Sequence, residues 1–261
     1  MNFSLSSVLP APEPVAFRIF SLDIMWYGIL IATGILLAMV VIYIRAPRHN
    51  IDSGKTIDLV LYSLPMGIIG ARAYYVFFNW DYYAGDFMKI INIREGGLAI
   101  HGGLIAGLLT ASILCLIWRI RPLNLLDLAM PSIALAQSIG RWGNYFNSEA
   151  HGGPTDLPWG ILVNGEMVHP TFLYESVWCF SLFIVLLIVG SRRKFEGQIF
   201  LLYGILYSAE RFFVEGLRTD SLMLGPLKQA QVLSLSVIVV FLLLYVILRR
   251  KYKVKNRRRY G

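Results

Sequence analysis

Seven long apolar runs constrain the fold of this chain more than any other feature of its sequence. They cover residues 24–44, 57–78, 98–117, 125–139, 171–189, 199–214 and 232–248. A helix needs ~20 mostly apolar residues to cross the hydrocarbon core of a bilayer. Charged residues make up only 15% of the 261 residues, against roughly 25% in soluble proteins. The sequence therefore predicts an all-α integral membrane protein of about seven transmembrane helices, forming a single transmembrane domain over residues 1–261.

The basic residues between these runs predict how the bundle is oriented. Sixteen of the 24 Lys and Arg residues fall on one side of an odd-numbered bundle, eight of them in the tail 249–261. Because positive charge accumulates in cytoplasmic loops, we expect the N-terminus outside and the C-terminus in the cytoplasm. The basic tail is interpreted as an anchor for anionic membrane lipids, and no nucleic-acid partner is predicted.

Three polar loops then lie on the outer side of the membrane. They are an outer arm at 80–97, an outer head at 140–170 and a third loop at 216–229. The head is rich in Gly, Asn, Pro and His. A long structured loop on a small bundle is more often functional than decorative, so we expect a small extracytoplasmic head at the functional site.

Four arginines lie in or at the outer ends of the apolar runs. They are Arg72, Arg141, Arg211 and Arg218. A charge at membrane depth costs ~2.5–3.5 kcal/mol or more, so it normally faces the bundle interior or a cavity. An arginine near the surface can instead reach lipid head groups, and for Arg218 this alternative stays open.

The sixth run carries a polar stripe. Its members, spaced at i, i+4, i+8 and i+11, are Tyr207, Arg211, Glu215 and Arg218. Such offsets share one face of a helix and predict a polar groove, in which Glu215 orients the arginines and leaves donors free for an anion. Glu210 lies one residue off the stripe and is a candidate partner. A structural ladder of ion pairs between two helices is the alternative.

A second polar cluster follows the fourth run, in the segment GRWGNYFNSEAHGG at residues 140–153. Its glycines allow tight turns and a close approach to a ligand. Its polar members are Arg141, Asn144, Asn147, Glu149 and His151. An arginine fork matches two phosphate oxygens and asparagine supplies amide donors. This pattern favours anion binding over a purely structural polar turn.

The third run opens with GGLAIHGGLIAG, in which His101 stands between two glycine pairs. A histidine near neutrality can act as a base, and a hydrogen-bonded structural histidine is the alternative. The histidines lack the spacing of metal ligands and no HExxH motif occurs, so neither a metal nor a cofactor is predicted. No protein nucleophile is evident. The sequence therefore favours a reaction in which a substrate supplies the nucleophile and the arginines stabilise the leaving group that it displaces.

Four segments of the chain stand in a characteristic order and spacing: GGLAIHGG, GRWGNYFNSEAHGG, HPTFLYES and YSAERFFVEGLR. Together they resemble the prolipoprotein diacylglyceryl transferase family, over about residues 20–248. The resemblance implies a multi-pass enzyme of the bacterial cytoplasmic membrane with its active site toward the extracytoplasmic face. Such an enzyme moves the diacylglyceryl group of phosphatidylglycerol onto the lipobox cysteine of a preprolipoprotein and releases glycerol 1-phosphate. The expected partners are phosphatidylglycerol, the signal peptides of preprolipoproteins and membrane lipids.

The resemblance also implies roles for individual residues. The expected phosphatidylglycerol-binding positions are Arg141, Asn144, Glu149, Gly152, Tyr207, Arg211, Glu215 and Arg218. His101 matches the important histidine of the glycine-rich helix, and with Arg141 and Arg211 it completes the expected catalytic set. Phe172 departs from the glutamine expected in HPTFLYES, which puts a polar role at this position in doubt.

The chemistry of the implied reaction agrees with the residues. A thiol displaces a phosphate ester at an sp3 carbon, so Arg141 and Arg211 would hold the phosphate while negative charge leaves with it. His101 or a neighbouring carboxylate would assist deprotonation of the thiol, whose unperturbed pKa is roughly 8.5. Two alternatives remain at this stage: a transporter or channel that uses the buried arginines for an anion, and a lipid-binding scaffold without turnover.

Overall fold

A computed structural model describes residues 12–20, 22–93, 96–219 and 222–260, with side chains described up to Tyr252. Most of these residues are helical. The described helices are α1 (Trp26–Arg45), α2 (Ser53–Phe78), α3 (Trp80–Tyr83), α4 (Phe87–Ile91), α5 (Ile100–Ile117), α6 (Pro122–Phe146), α7 (Thr171–Gly190), α8 (Gln198–Leu217) and α9 (Gln229–Tyr260). Three antiparallel hairpins accompany them: β1 (Val15–Ile19) with β2 (Leu22–Met25), β3 (Ile161–Val163) with β4 (Glu166–Val168), and β5 (Met223–Leu224) with β6 (Leu227–Lys228).

Each of the seven apolar runs lies mainly on one long helix, so the prediction of a mainly helical chain is confirmed. Five of the described helices are long and apolar enough to cross a membrane: α1, α2, α5, α7 and the part of α9 that ends at Tyr252. The other two long helices, α6 and α8, carry buried polar and ionisable side chains. The protein is therefore a multi-pass helical membrane protein, and the count of seven crossings remains a prediction.

Helix α6 extends two turns beyond the fourth apolar run, to Phe146. The predicted start of the head loop 140–170 was therefore wrong, because the loop begins only after this helix. This last part of α6 packs against α1: a Cβ atom on Gly143 would lie 2.5 Å from Cδ2 of Tyr27. Glycine at this position admits an aromatic ring of the neighbouring helix and does not make a turn.

The hairpins are a feature that the sequence analysis did not predict. Strands β3 and β4 are joined by Asn164 and Gly165, whose φ angles are 52° and 86°. Two residues of positive φ form the turn that Asn-Gly favours between antiparallel strands. The Asn-Gly pair between the short apolar segments ILV and EMV was therefore a local signal for this hairpin. An isolated bridge between Pro154 and Val168 ties the preceding head segment to it.

The chain divides into two compact units. The smaller unit is Ile42–Leu125, and the larger consists of the residues up to Val41 together with those from Leu126 onward. The predicted arginine sites at positions 141 and 211 belong to the larger unit, whereas Arg72 and His101 belong to the smaller.

In the smaller unit, α2 and α5 approach each other closely through glycines. A Cβ atom on Gly102 would lie 2.3 Å from the carbonyl oxygen of Gly70. Beyond this contact, Arg72 donates five hydrogen bonds of 2.7–2.9 Å to main-chain carbonyl oxygens of the outer arm. The acceptors are Lys89, Ile90, Asn92, Gly96 and Gly97. All the donors of this guanidinium are used, so Arg72 holds the arm and is not free to bind an anion.

In the larger unit, an apolar core joins α6, α7 and α8. Its buried members are Met130, Ala134, Leu182, Leu186 and Ile199. The start of α8 is fixed by Asp127 of α6, which is fully buried. The Asp127 carboxylate accepts main-chain N–H bonds from Gly197 at 2.8 Å, Ile199 at 2.8 Å and Phe200 at 3.0 Å. A helix N-terminus leaves such N–H groups unsatisfied and favours a negative charge, so Asp127 anchors α8 to α6.

Candidate active site

Three helices of the larger unit bring two arginines onto one buried carboxylate. Glu175 of α7 is only 1% exposed, and its Oε1 lies 3.0 Å from Nη2 of Arg141 on α6 and 3.0 Å from Nη1 of Arg211 on α8. The guanidinium-bearing side chains are 21% and 23% exposed, so both retain surface that another group can reach. We call Arg141, Glu175 and Arg211 the arginine cradle.

The predicted stripe on α8 supplies two further contacts to the cradle. Nη2 of Arg141 lies 3.4 Å from the Tyr207 hydroxyl oxygen, to which it donates. Nη2 of Arg211 lies 2.6 Å from Oε2 of Glu215 one turn further along the helix. The i, i+4 spacing thus places Tyr207, Arg211 and Glu215 along one face, as predicted.

Arg218 does not continue this face, and the prediction that it lies on the helical stripe was wrong. Helix α8 ends at Leu217, and Arg218 has extended backbone with φ −75° and ψ 149°. Lys228 binds this end of the helix, because its ammonium group donates to the carbonyl oxygens of Glu215 at 2.8 Å and Gly216 at 3.2 Å. A lysine that binds the last carbonyls of a helix stabilises its C-terminus. Lys228 lies in the third polar loop, 216–229, and no role was predicted for it.

Glu175 is the member of the cradle that the sequence analysis missed. The signal was present, since an ionisable residue inside the apolar run 171–189 should face the bundle interior by the same argument that was applied to the arginines. Glu210 of α8 is a second buried carboxyl group, 6% exposed. It interacts electrostatically with Glu175, Arg141 and Arg211, as expected of a residue beside the stripe.

The segment GRWGNYFNSEAHGG at residues 140–153 makes hydrogen bonds between its own polar side chains. Asn144 and Asn147 both donate to Oε1 of Glu149, at 3.0 Å and 3.3 Å. These bonds close the turn at the end of α6, where Ser148 and Ala150 have positive φ. The amide of Asn144 and the carboxylate of Glu149 are therefore paired with each other, and their predicted role in binding the lipid stays a prediction.

Gly152 is required by the packing of the head. A Cβ atom there would lie 2.7 Å from Cβ of His169, and the Gly152 N–H donates to the His169 carbonyl oxygen at 2.9 Å. Gly152 also pairs with Arg218 in an isolated antiparallel bridge. The segment 140–153 and the end of α8 are far apart in the chain, and their main chains pair at this bridge.

Phe172 has an aromatic environment. Its ring stacks on Tyr145 with centroids 4.9 Å apart, and the Trp142 ring meets it edge-on at 5.4 Å. The side chain is buried. This packing accounts for an apolar residue at a position where a glutamine was expected.

His101 stands near the start of α5, in the smaller unit, and its side chain is exposed. Its ring centroid lies 6.3 Å from that of Tyr74 on α2. The neighbouring Gly102 allows the close contact between α2 and α5. Glycine at this position is therefore needed for helix packing. The role of His101 as a base stays a prediction.

The apolar helices and the pair of arginines on one carboxylate define a class: a multi-pass membrane protein with a buried cluster of arginines and carboxyl groups. The model of the prolipoprotein diacylglyceryl transferase family matches residues 14–247. The phosphatidylglycerol–prolipoprotein diacylglyceryl transferase of Clostridioides difficile (strain 630) is 52% identical over 92% of this chain and 97% of its own. That of Finegoldia magna is 52% identical over 92% and 96%, and that of Bacillus cytotoxicus is 45% identical over 96% and 97%.

The chain belongs to the prolipoprotein diacylglyceryl transferase family and is a transferase. The resemblance seen in the four sequence segments is thereby confirmed. The alternative of an anion or lipid transporter is not supported, because the matching relatives are named as transferases over nearly their whole length.

Proposed function

We propose that this protein transfers the diacylglyceryl group of phosphatidylglycerol to the lipobox cysteine thiol of preprolipoproteins, the first step of lipoprotein maturation. The observation that carries the proposal is the shared oxygen of the cradle: two guanidinium groups converge on Oε1 of Glu175 at 3.0 Å each. A phosphate oxygen is an equivalent acceptor for two arginine forks. The names of the relatives supply the lipid donor and the protein acceptor.

In the proposed reaction the cysteine sulfur attacks the carbon of the diacylglyceryl group that is bonded to a phosphate oxygen. The C–S bond of a thioether forms as the C–O bond breaks, and the bonding electrons leave with the phosphate of glycerol 1-phosphate. Arg141 and Arg211 bind that phosphate and stabilise the charge that grows on it, which is worth about 2.7–4 kcal/mol for a well-placed donor. Tyr207 and Glu215 hold the two guanidinium groups in place.

The thiol loses its proton in this step, and a base must receive it. His101 or a carboxylate near the cradle is the proposed acceptor, since both residue types can accept a proton at neutral pH when suitably placed. The proposed lipid-binding set also includes residues of the head, where Gly152 of the segment 140–153 pairs with Arg218 after α8. These residues are Asn144, Glu149, Gly152 and Arg218.

The proposed setting is the bacterial cytoplasmic membrane, with seven crossings, the N-terminus outside and the C-terminus in the cytoplasm. The charge bias of the loops supports this orientation. The single transmembrane domain then presents its outer arm 80–97 and its head toward the extracytoplasmic face, where signal peptides and lipids meet the site. In this orientation the tail 249–261 faces anionic lipids. Residue 261 and the side chains after Tyr252 lie outside the described residues, and so do Arg94 and Glu95 of the arm.

One assay tests the proposal directly. Purified protein is mixed with phosphatidylglycerol and a lipobox peptide, without added metal or nucleotide. The mass of the peptide is then measured by mass spectrometry. The expected product is a peptide whose cysteine carries a diacylglyceryl thioether, with glycerol 1-phosphate released in equal amount. Folded protein that yields no modified peptide would refute the assignment.

A further inference from the structure

Glu210 is a buried carboxyl group to which the proposed mechanism assigns no role of its own. It is 6% exposed, and neither of its carboxyl oxygens has a hydrogen-bond partner among the described residues. A buried polar group without a partner destabilises the folded protein. Such groups are rare in native proteins and call for an explanation. A ligand that supplies hydrogen bonds to Glu210 would remove this cost.

The position of Glu210 places it beside the arginine cradle. It precedes Arg211 directly and follows Tyr207 by three residues on α8, so it lies within one helical turn of both. It interacts electrostatically with Arg141, Arg211 and Glu175. Glu175 also has a buried oxygen, Oε2, without a hydrogen-bond partner among the described residues. Glu210 and Glu175 together therefore offer three buried oxygens that lack hydrogen bonds within the described part of the chain.

The surroundings of these oxygens select the kind of ligand that fits them. The described residues contain no group of three or more His, Cys, Asp or Glu side chains that could hold a metal ion. A neutral hydroxyl group needs no such set of ligands and adds no charge to the ion pairs of the cradle. It also suits Glu210 in either protonation state, because a hydroxyl both donates and accepts hydrogen bonds.

We propose that Glu210, with Oε2 of Glu175, forms a subsite for the hydroxyl groups of the glycerol head group that leaves with the phosphate. The inference rests on the proposed function. In phosphatidylglycerol the first head-group hydroxyl stands on the second carbon from the phosphate ester oxygen. A phosphate held by Arg141 and Arg211 therefore brings the head-group hydroxyls to the neighbourhood of Glu210. This makes Glu210 a specificity-determining residue: it distinguishes lipids by the hydroxyl groups of the part that leaves.

The test compares two lipids in two backgrounds. Phosphatidylglycerol and phosphatidylpropanol with the same acyl chains differ only in the two head-group hydroxyls. For the unaltered protein we expect kcat/KM for transfer to a lipobox peptide to be about 10–100-fold higher with phosphatidylglycerol, because the analogue leaves buried polar groups unpaired. Glu210→Met should bring this ratio to within about threefold of unity, mainly by slowing transfer from phosphatidylglycerol.

Two further variants keep the result interpretable. Glu210→Gln retains the shape of the side chain and should lower the ratio by a smaller factor, and it decides the question if Glu210→Met does not fold. Ser208→Ala, at a buried position two residues earlier on the same helix, serves as the matched control and should keep the original ratio.

The outcomes separate this inference from the proposed function. If the unaltered protein transfers diacylglyceryl groups but every active Glu210 variant keeps its full preference for phosphatidylglycerol, the head-group subsite is wrong and the transferase assignment stands. The same conclusion follows if Glu210→Met slows both lipids by one factor. If the unaltered protein modifies no peptide with either lipid, the proposed function itself fails.

Discussion

Arg141 and Arg211 each use one end of a planar guanidinium group on the same oxygen of Glu175. A lysine at either position would keep the charge but lose the fork that reaches a second acceptor. We expect Arg141→Lys and Arg211→Lys each to lower kcat/KM for diacylglyceryl transfer about 100-fold or more, the range seen when a preorganised donor is removed from a developing anion. The peptide-modification assay measures this.

The control for these variants is Arg18→Lys, which changes an exposed arginine paired with Asp23 and should leave transfer unchanged. Near-normal activity of either cradle variant in folded protein would remove the phosphate-binding role from that arginine.

Glu175 is the carboxylate that pairs with both arginines of the cradle. Replacement of one partner in a buried ion pair costs about 3–5 kcal/mol, because it leaves an uncompensated buried charge. Glu175→Gln should therefore lower the thermal stability of the purified protein. An anion that takes the place of the lost carboxylate should restore part of it, so glycerol 1-phosphate should raise the melting temperature more in the variant than in the unaltered protein. Equal increases in the two proteins would show that the anion binds elsewhere.

His101 is best tested through the pH dependence of transfer. If it removes the thiol proton, His101→Ala should lose most activity near neutral pH and regain it in alkaline solution. The lipobox thiol then ionises without help, since its unperturbed pKa is roughly 8.5. The measurement is kcat/KM across neutral and alkaline pH for variant and unaltered protein side by side. A variant as active at neutral pH as the unaltered protein would make His101 structural.

At the scale of elements, the position of Arg211 depends on how α8 begins. Asp127→Asn keeps the shape of the anchor but removes the charge that attracts three main-chain N–H groups and the guanidinium of Arg193, whose Nη1 lies 3.2 Å from Oδ2. Hydrogen bonds to charged groups contribute about 1.5–3 kcal/mol, so we expect a clear fall in melting temperature and a smaller fall in kcat.

Asp52 offers the matched control for that substitution. It is an exposed N-cap residue of α2 and its side chain accepts one main-chain N–H, from Lys55, at 3.0 Å. Asp52→Asn should have a small effect, since asparagine is an equally good N-cap. If both variants are equally stable, Asp127 does not anchor α8.

Helix positions and the polar stripe could be predicted because their signals are local. Apolar runs locate the long helices, and the i, i+4 spacing places Tyr207, Arg211 and Glu215 on one face. The role of Asp127 as the anchor of α8 had no such local signal. The main-chain N–H groups that donate hydrogen bonds to Asp127 are about seventy residues away from it in the chain. The contact of Tyr27 with Gly143 near the end of α6 likewise becomes visible only once the helices are packed.

At the scale of the whole molecule, the orientation in the membrane is open to direct measurement. We expect a single cysteine introduced at Asn164, in the β3–β4 turn, to react with a membrane-impermeant maleimide in intact cells. One introduced at Arg192, after α7, should react only after permeabilisation. The native Cys115 and Cys179 are buried and would be replaced by alanine in both. Labelling at position 192 in intact cells would reverse the proposed orientation.

The five hydrogen bonds that Arg72 donates all end on main-chain carbonyl oxygens of the arm. A carbonyl oxygen is present whatever side chain a residue carries, so new side chains at Lys89, Ile90 and Asn92 would leave these acceptors of Arg72 in place. Gly97 is different, because a Cβ atom there would collide with Nη1 of Arg72. The surface of the arm is therefore free to vary at the first three positions, whereas its return at Gly97 is tied to glycine.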